Sequence, residues 1–145
     1  MVVRKIIKPL FHRTRRLLAK RYLRLMSARQ IAVTGSMGKT NTTYVLSKML
    51  PALGKVEKTD INLDTIYNVP ITALKVRPWH KFVIFELGVD HIGEMDKHLE
   101  IARPQVSVIT GISPVHTDEE HFGSLQKLIE EKRKMIQTLA PSGFA

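Results

Sequence analysis

The stretch that decides the fold is Gln30-Ile31-Ala32-Val33-Thr34-Gly35-Ser36-Met37-Gly38-Lys39-Thr40. Its first five residues form a short, mostly apolar run that ends at a glycine, which predicts a buried parallel strand. Residues 39–50 then place apolar side chains at helical spacing, which predicts a helix. A strand, a glycine-rich turn, a Lys-Thr pair and a helix, in this order, form the pattern of a phosphate-binding loop.

The residue types of this loop indicate its chemistry. Glycines let backbone N–H groups approach phosphate oxygens closely, and the start of a helix adds partial positive charge. Lys39 is predicted to reach the β- and γ-phosphates of a nucleotide, and the Thr40 hydroxyl to bind Mg²⁺. The alternative is a plain strand–turn–helix junction with a solvated lysine, since Val33 stands where the longer form of the pattern has a glycine. We predict an ATP site formed by Gly35, Ser36, Met37, Gly38, Lys39, Thr40 and Asn41.

The rest of the chain alternates between strand patterns and helix patterns. The patterns predict strands at 81–87 and 106–110, helices at 93–102 and 124–139, and loops at 59–70 and 111–122. Such alternation is typical of an α/β fold in which helices flank a parallel sheet. A further strand should follow residue 145, so we expect residues 30–145 to be an incomplete domain with a partial P-loop-type sheet.

Composition excludes several classes of protein. The 145 residues contain no cysteine, which excludes a disulfide framework and a thiolate metal site. No apolar run approaches the ~20 residues of a membrane-spanning helix. The N-terminus also lacks the apolar core of a secretory signal, so we expect a cytoplasmic protein.

Positive charge is concentrated in residues 1–30, which hold ten Lys or Arg residues and no Asp or Glu. The net charge of +10 therefore belongs to one N-terminal arm. Pro9 predicts the start of an amphipathic helix over residues 10–26. We consider three hypotheses for residues 1–29: a helix packed on the body with a solvated basic face, a contact with anionic lipid at the inner membrane face, or a nucleic-acid contact. Nucleic acid is the least favoured, because aromatic residues suited to base stacking are sparse in the arm.

Three further positions are candidates for a site at the carboxyl edge of the sheet. Glu86 closes the second strand, where ligands of parallel sheets bind, and a carboxylate suits Mg²⁺; the alternative is a solvated glutamate. His116 follows the third strand and His121 lies nearby, and their spacing fits a metal ligand and a solvated acidic turn equally well. Lys132 lies in the charged run 130–134, a pattern typical of a surface lysine.

Residues 31–145 resemble the central ATP-binding domain of the Mur ligases and are most similar to the MurF branch. Four motifs carry this resemblance in the family's order, namely the loop at 34–43, the segments 62–65 and 69–72, the stretch 86–94, and residues 122–125 with Lys132 and 141–143. The stretch from Glu86 to Glu94 resembles the Glu-Leu-Gly-x-x-His-x-Gly-Glu motif that separates this branch from its relatives.

The resemblance implies an amide-bond ligase of peptidoglycan-precursor synthesis. In such an enzyme ATP phosphorylates a substrate carboxylate, an amine attacks the acyl phosphate, and phosphate leaves. By position, Lys39 holds the phosphates, Thr40 and Glu86 hold one Mg²⁺, and His116 falls at the family's metal-binding histidine. Lys132 falls where the family carries a carbamylated lysine that helps to hold a second Mg²⁺. The implied catalytic residues are Lys39, Lys132 and His116.

The resemblance also implies partners, which are the carboxylate of a peptidoglycan precursor and the amine of an amino acid or dipeptide. Asn62 and Asp64 fall in the segment implied to contact the substrate. The segment from His116 to Phe122 is longer than the family's, so His121 is an alternative ligand. The basic arm stands in place of the family's UDP-sugar domain and the C-terminal domain does not follow, so we expect the 145 residues alone to be inactive as a ligase.

Two other functional classes remain as alternatives. One is a P-loop kinase or NTPase, which would need neither a carbamylated lysine nor an amine acceptor. The other is a non-catalytic nucleotide-binding or membrane-docking module, in which Lys39→Ala would change nothing.

Overall fold

The computed structural model describes residues 2–60, 65–114, 117–118 and 120–145. Helices and strands alternate along the chain, with a short 3₁₀ turn at Leu50–Ala52. The elements are α1 Val2–Leu23, β1 Arg29–Thr34, α2 Lys39–Met49, β2 Lys55–Lys58, α3 Thr65–Lys75, β3 His80–Glu86, α4 Glu94–Leu99, β4 Val106–Ile109 and α5 Leu125–Gln137.

The four strands form one parallel sheet in the order β2-β3-β1-β4. Ile31 of β1 lies opposite Ile84 of β3 on one side and Val106 of β4 on the other. The predicted parallel α/β fold is therefore confirmed. Because the strands are parallel, their carboxyl ends meet at one edge, which carries the loop between β1 and α2.

The core lies on both faces of this sheet. The larger cluster is formed by buried side chains of α1, α3, α4 and α5 with the sheet, among them Phe85, Met95 and Met135. The smaller cluster lies beneath α2 and contains Ile31, Val33 and Ile84. These two clusters fix β1 and β3 from both sides, so the carboxyl ends of the two strands are held rigidly.

The basic helix α1 is packed against α3. Ala19 and Leu23 are buried in the larger core cluster, and the Tyr22 hydroxyl donates a hydrogen bond of 2.7 Å to the backbone oxygen of Val76. This confirms that the helix packs on the body. The predicted start at Pro9 is wrong, because α1 begins at Val2 and runs through the proline. The fixed φ of proline is itself helical, so the ring costs one helical hydrogen bond without ending this helix.

Two elements in the middle of the chain differ from the predictions. Residues 59–70 were predicted to be loop, but α3 begins at Thr65 and contains Pro70. Val69, Ala73 and Val76 are buried at helical spacing, and this burial outweighs the proline. The strand β2 is not predicted from the sequence, because three of its four residues, Lys55–Lys58, are charged and it lies at the sheet edge.

We predict that Leu23→Ala destabilises the protein by about 3 kcal/mol, because it leaves a cavity in the larger core cluster, where α1 packs on α3. Leu23 is 1% exposed, whereas Leu25, two residues later, is 79% exposed and serves as the matched control. Leu25→Ala should change the free energy of unfolding by less than about 0.5 kcal/mol. Urea unfolding followed by circular dichroism measures both values, and equal losses would show that α1 is not part of the core.

Candidate phosphate-binding site

The loop between β1 and α2 has a backbone that only glycine suits at two positions. Gly35 has φ +149° and Gly38 has φ +84°. A Cβ atom on Gly35 would lie 2.1 Å from the Thr110 hydroxyl oxygen, closer than real Cβ contacts allow. Gly38 directly precedes the first residue of α2, so the free N–H groups of this helix start face the loop. The predicted glycine-rich turn before a helix is therefore present.

The segment after β4 anchors this loop from the side. The Thr110 hydroxyl donates to the Met37 carbonyl at 2.5 Å, and the Ser36 N–H donates to the Gly111 carbonyl at 2.7 Å. Ser36 and Ser113 form a reciprocal pair, in which the Ser36 hydroxyl donates to the Ser113 carbonyl and accepts from the Ser113 N–H. Thr110, Gly111 and Ser113 are not among the site residues predicted from the sequence. The available signal was a run of small polar residues after a strand that neighbours β1.

We predict that Thr110→Val weakens MgATP binding by about fivefold to tenfold, because one hydrogen bond that holds the loop is lost. Thr110→Ser keeps the hydroxyl and should bind nearly as tightly as the unmodified chain. The control is Thr138→Val, whose hydroxyl bonds to Met135 at the end of α5 and lies away from the loop. Isothermal titration calorimetry gives the three affinities, and a Thr110→Ser chain as weak as Thr110→Val would contradict a role for the hydroxyl.

Two lysine side chains converge on one carbonyl oxygen of the loop. The Lys39 Nζ donates to the Gly35 carbonyl at 2.9 Å and to the Ser36 carbonyl at 3.3 Å. The Lys132 Nζ donates to the same Gly35 carbonyl at 3.1 Å. Burial first, and then the neighbouring Lys39 ammonium, lower the pKa of Lys132 to about 8. The surface position that the charged run predicted for Lys132 is wrong, because the side chain is only 2% exposed.

Glu131, the neighbour of Lys132, explains why this part of α5 faces inward. Its carboxylate is buried and accepts the N–H groups of Gly93 and Met95 at 3.0 and 2.8 Å. The Lys134 ammonium donates to its other oxygen at 2.8 Å. These bonds tie α5 to the start of α4 and thereby direct Lys132 towards the loop. The sequence analysis missed this role, because the run 130–134 has the composition of a solvated surface.

Glu86 lies at the end of β3, as predicted, and it contacts the loop helix. The Thr40 hydroxyl donates to Glu86 Oε1 at 2.9 Å. The Thr59 hydroxyl accepts the Glu86 N–H at 2.9 Å, which fixes the backbone of this strand end. A hydroxyl and a carboxylate side by side supply the oxygen ligands that Mg²⁺ prefers, so the two side chains fit that ion. Among the described residues, no group of three His, Asp or Glu side chains is arranged to hold a metal.

The other predicted site residues fall into two groups. Asn62, Asp64 and His116 lie outside the described residues, and their assignments remain predictions. His121 lies 2.6 Å from Asp118, and this hydrogen bond raises the pKa of the imidazole.

The 88–94 segment lies beside this histidine. The rings of His91 and His121 are 5.3 Å apart. Glu94 accepts the backbone N–H groups of Asp90 and His91, so this carboxylate shapes the turn before α4.

The sequence model of the family described as Mur ligase middle domain matches residues 33–145. The chain is similar to UDP-N-acetylmuramoyl-tripeptide–D-alanyl-D-alanine ligases. It is 38% identical over 110 residues to that of Borreliella burgdorferi and 31% identical over 118 residues to that of Escherichia coli. These alignments cover 76% and 81% of the chain, and 23% and 26% of the two relatives. The chain thus spans about a quarter of their length.

Solved structures show the same likeness. A MurF crystal structure from Acinetobacter baumannii matches 91% of the chain with a TM-score of 0.82 and 29% identity, over 29% of its own length. A MurF structure from Thermotoga maritima in complex with ADP matches 88% of the chain with a TM-score of 0.80 and 28% identity, over 30% of its length. These matches support the α/β fold, and they give no support to the kinase alternative.

Proposed function

Because the chain belongs to the Mur ligase family, through the middle domain of that family, we propose that it supplies the ATP site of an amide-bond ligase of peptidoglycan-precursor synthesis. The observation that carries the proposal is the convergence of Lys39 and Lys132 on the Gly35 carbonyl, beside the Thr40–Glu86 pair. Two ammonium groups, a hydroxyl and a carboxylate thus lie beside one glycine-rich loop. Such groups can neutralise and position a phosphoryl group during its transfer, directly or through Mg²⁺.

The loop is proposed to bind the phosphates of ATP. The free N–H groups at the start of α2 and the Lys39 ammonium would neutralise phosphate oxygens. Lys39 donates to two carbonyls of its own loop, so its side chain lies at the loop. The proposed ATP contacts are those predicted from the sequence, from Gly35 to Asn41. The Thermotoga maritima relative is a complex with ADP, which supports nucleotide binding in general.

Thr40 and Glu86 are proposed to hold Mg²⁺, which would neutralise negative charge on the phosphates. Glu86 is held by Thr59 at its N–H, so its carboxylate is presented from a rigid strand end. His116 is proposed as a further metal ligand, with His121 as the alternative. The His121 Nδ1 donates a hydrogen bond to the Asp118 carboxylate, which orients the ring, so a metal would be bound through the other ring nitrogen, Nε2.

Lys132 is proposed to be carbamylated. Its nitrogen would attack carbon dioxide, form an N–C bond and release a proton, which leaves a carbamate anion in place of an ammonium. Only the neutral amine can do this, and a pKa of about 8 provides a substantial neutral fraction near neutral pH. The carbamate would add oxygen ligands at the position where the ammonium now meets the loop.

The proposed reaction joins a carboxylate to an amine. A carboxylate oxygen attacks the γ-phosphorus and ADP leaves; the amine then attacks the carbonyl carbon of the acyl phosphate, loses a proton, and inorganic phosphate leaves. The names of the relatives indicate a UDP-N-acetylmuramoyl-tripeptide and D-alanyl-D-alanine as the substrates. Asn62 and Asp64 are proposed to contact the carboxylate substrate. The proposed location is the cytoplasm, at the inner membrane face, with residues 1–29 as the membrane contact and 30–145 as the ATP-binding unit.

An isotope experiment on the complete gene product tests this function. The tripeptide carboxylate is labelled with ¹⁸O, and the enzyme is supplied with MgATP, bicarbonate and D-alanyl-D-alanine. An acyl phosphate intermediate transfers one labelled oxygen to the released phosphate, which mass spectrometry detects. Phosphate without label, or a phosphorylated product that accumulates and is not consumed when the amine is added, would overturn the ligase proposal in favour of an NTPase or a kinase.

A further inference from the structure

We infer that the outward face of α1 docks on an anionic membrane surface, an inference that deepens the proposed membrane location. Phe11 and Leu18 lie seven residues apart in α1, or about two helical turns, and Leu25 follows after the same interval in the turn that comes directly after the helix. All three side chains are exposed, Leu18 to 55% and Leu25 to 79%. We call this row the apolar stripe. It faces away from Ala19 and Leu23, which hold α1 to the body.

Cationic side chains flank the apolar stripe. Arg13, Arg21 and Arg24 are exposed, and no carboxylate among the described residues forms an ion pair with them. Arg16, in contrast, turns towards the body and lies 3.5 Å from Glu100. An exposed face that combines leucine and phenylalanine with unpaired arginine is the composition of a helix that lies in the plane of a membrane interface.

Because α1 is already packed on the body, docking of its exposed face would cost little conformational entropy. The helix is already ordered on α3, so docking would need no folding of the segment. The rings of His12 and Tyr67 are 4.8 Å apart, while the Tyr22 hydroxyl bonds to the Val76 carbonyl. The two helices therefore run parallel, and the middle of α1, at His12, lies near the start of α3, at the carboxyl edge of the sheet.

Three partners could contact this exposed face, namely a second copy of the chain, nucleic acid and anionic lipid, and charge and apolar contact together favour lipid. A second copy of the chain would bring two strongly basic faces together, and like charges across an interface are unfavourable. Nucleic acid would satisfy the arginines and could stack on Phe11, but it would leave Leu18 and Leu25 without a partner, since leucine offers no ring for base stacking. Anionic lipid satisfies both groups, because headgroups pair with arginine while the acyl boundary accepts leucine and phenylalanine. In the described part of the chain, no helix is long and apolar enough to cross a membrane, so the contact would be peripheral.

Sedimentation with vesicles tests the inference on the 145-residue chain. Binding is expected to vesicles that contain phosphatidylglycerol and not to phosphatidylcholine alone, and to weaken as salt is raised. Leu18→Ser with Leu25→Ser should weaken binding at least about tenfold by removing apolar contact. Arg21→Glu with Arg24→Glu should weaken it at least about thirtyfold by removing cationic contacts.

The matched control is a variant that changes two exposed apolar side chains on the other face of the sheet. Met49 and Leu53 are both 64% exposed on or beside α2, and Met49→Ser with Leu53→Ser should leave vesicle binding unchanged. All the changed side chains are exposed, so circular dichroism should show unchanged folding. Lys39→Ala should also leave vesicle binding unchanged, which separates this inference from the proposed ATP site.

Three results would overturn the inference. They are equal binding to both kinds of vesicle, an equal loss in the α2 control, and a dimer that forms without lipid and disappears in the Leu18→Ser, Leu25→Ser variant. Tighter binding to RNA than to the anionic vesicles would overturn it as well. If vesicle binding fails while MgATP still binds, the docking surface is wrong and the ATP site stands.

Discussion

Lys39→Ala is expected to weaken MgATP binding by about 100-fold, because the variant loses a charged donor to the phosphates. The side chain already lies on the loop, where it donates to the carbonyls of Gly35 and Ser36. After its removal the Gly35 carbonyl still accepts a hydrogen bond from Lys132, and Ser36 is half-buried, so the fold should survive. Isothermal titration calorimetry with MgATP gives the affinity, and a thermal melt of the apo chain shows whether folding is preserved.

The control for this prediction is Lys48→Ala. Lys48 lies in the last turn of α2, is exposed and contacts the Tyr44 ring 5.3 Å away, so the change removes the same charge from the same helix. Its MgATP affinity should match that of the unmodified chain within about twofold. Equal affinity in the Lys39→Ala chain would support a non-catalytic module. A loss in both variants would point to net charge and not to the loop.

Lys132→Met is expected to stabilise the chain by about 1–3 kcal/mol at pH 7 while it abolishes carbamylation. The native ammonium is buried beside Lys39, and this environment lowers its pKa from 10.5 to about 8. Methionine fills the same space without a charge to bury. The hydrogen bond to the Gly35 carbonyl is lost, which offsets part of the gain. Urea unfolding in buffers free of carbon dioxide measures the difference.

The lowered pKa of Lys132 determines whether the stability of the native chain rises or falls with pH. A lysine with a lowered folded pKa costs stability while it is charged, so below about pH 8 the cost is fully present. Between about pH 8 and 10.5 the unfolded state binds more protons, so the stability of the native chain rises with pH. The advantage of Lys132→Met should therefore shrink above pH 8. An advantage that does not change with pH would show that the lysine is not charged and buried.

Nuclear magnetic resonance with ¹³C-labelled bicarbonate tests the chemical half of the same prediction. A carbamate signal should grow as the pH is raised through about 8, since the neutral amine is the reactive form. The signal should be absent in Lys132→Met and retained in Lys127→Met, an exposed lysine of the same helix. A signal that survives Lys132→Met would assign the carbamate to another lysine.

The phosphate loop could be predicted from sequence because its determinants are local. Gly35, Gly38 and the Lys39-Thr40 pair act within a few residues of one another, and the strand before them and the helix after them have clear periodicity. The position of Glu86 was predictable for a related reason, since it ends a strongly apolar strand. Even so, its contact with Thr40 depends on β1 and β3 being neighbours, which the sheet order establishes.

The features that sequence reasoning missed depend on distant partners. Glu131 is buried because N–H groups of the 93–95 turn and the Lys134 ammonium surround it, and none of these is visible in a run of charged residues. Thr110 matters only because β4 lies beside β1. The resemblance pointed to Lys132 where residue pattern alone placed it on the surface. Burial of the side chain is the physical reason that the pattern failed.

The Gly35 carbonyl accepts hydrogen bonds from both Lys39 and Lys132. It would therefore couple nucleotide binding at Lys39 to carbamylation of Lys132. Carbamylation would turn one of its two donors, the Lys132 ammonium, into an anion, and the carbonyl would then have to find another partner. The loop geometry that ATP meets would therefore depend on dissolved carbon dioxide. By reciprocity, bound nucleotide would change the affinity of Lys132 for carbon dioxide by the same factor. In such an enzyme carbon dioxide acts as an effector as well as a reagent, and the bicarbonate content of the assay buffer becomes a variable to control.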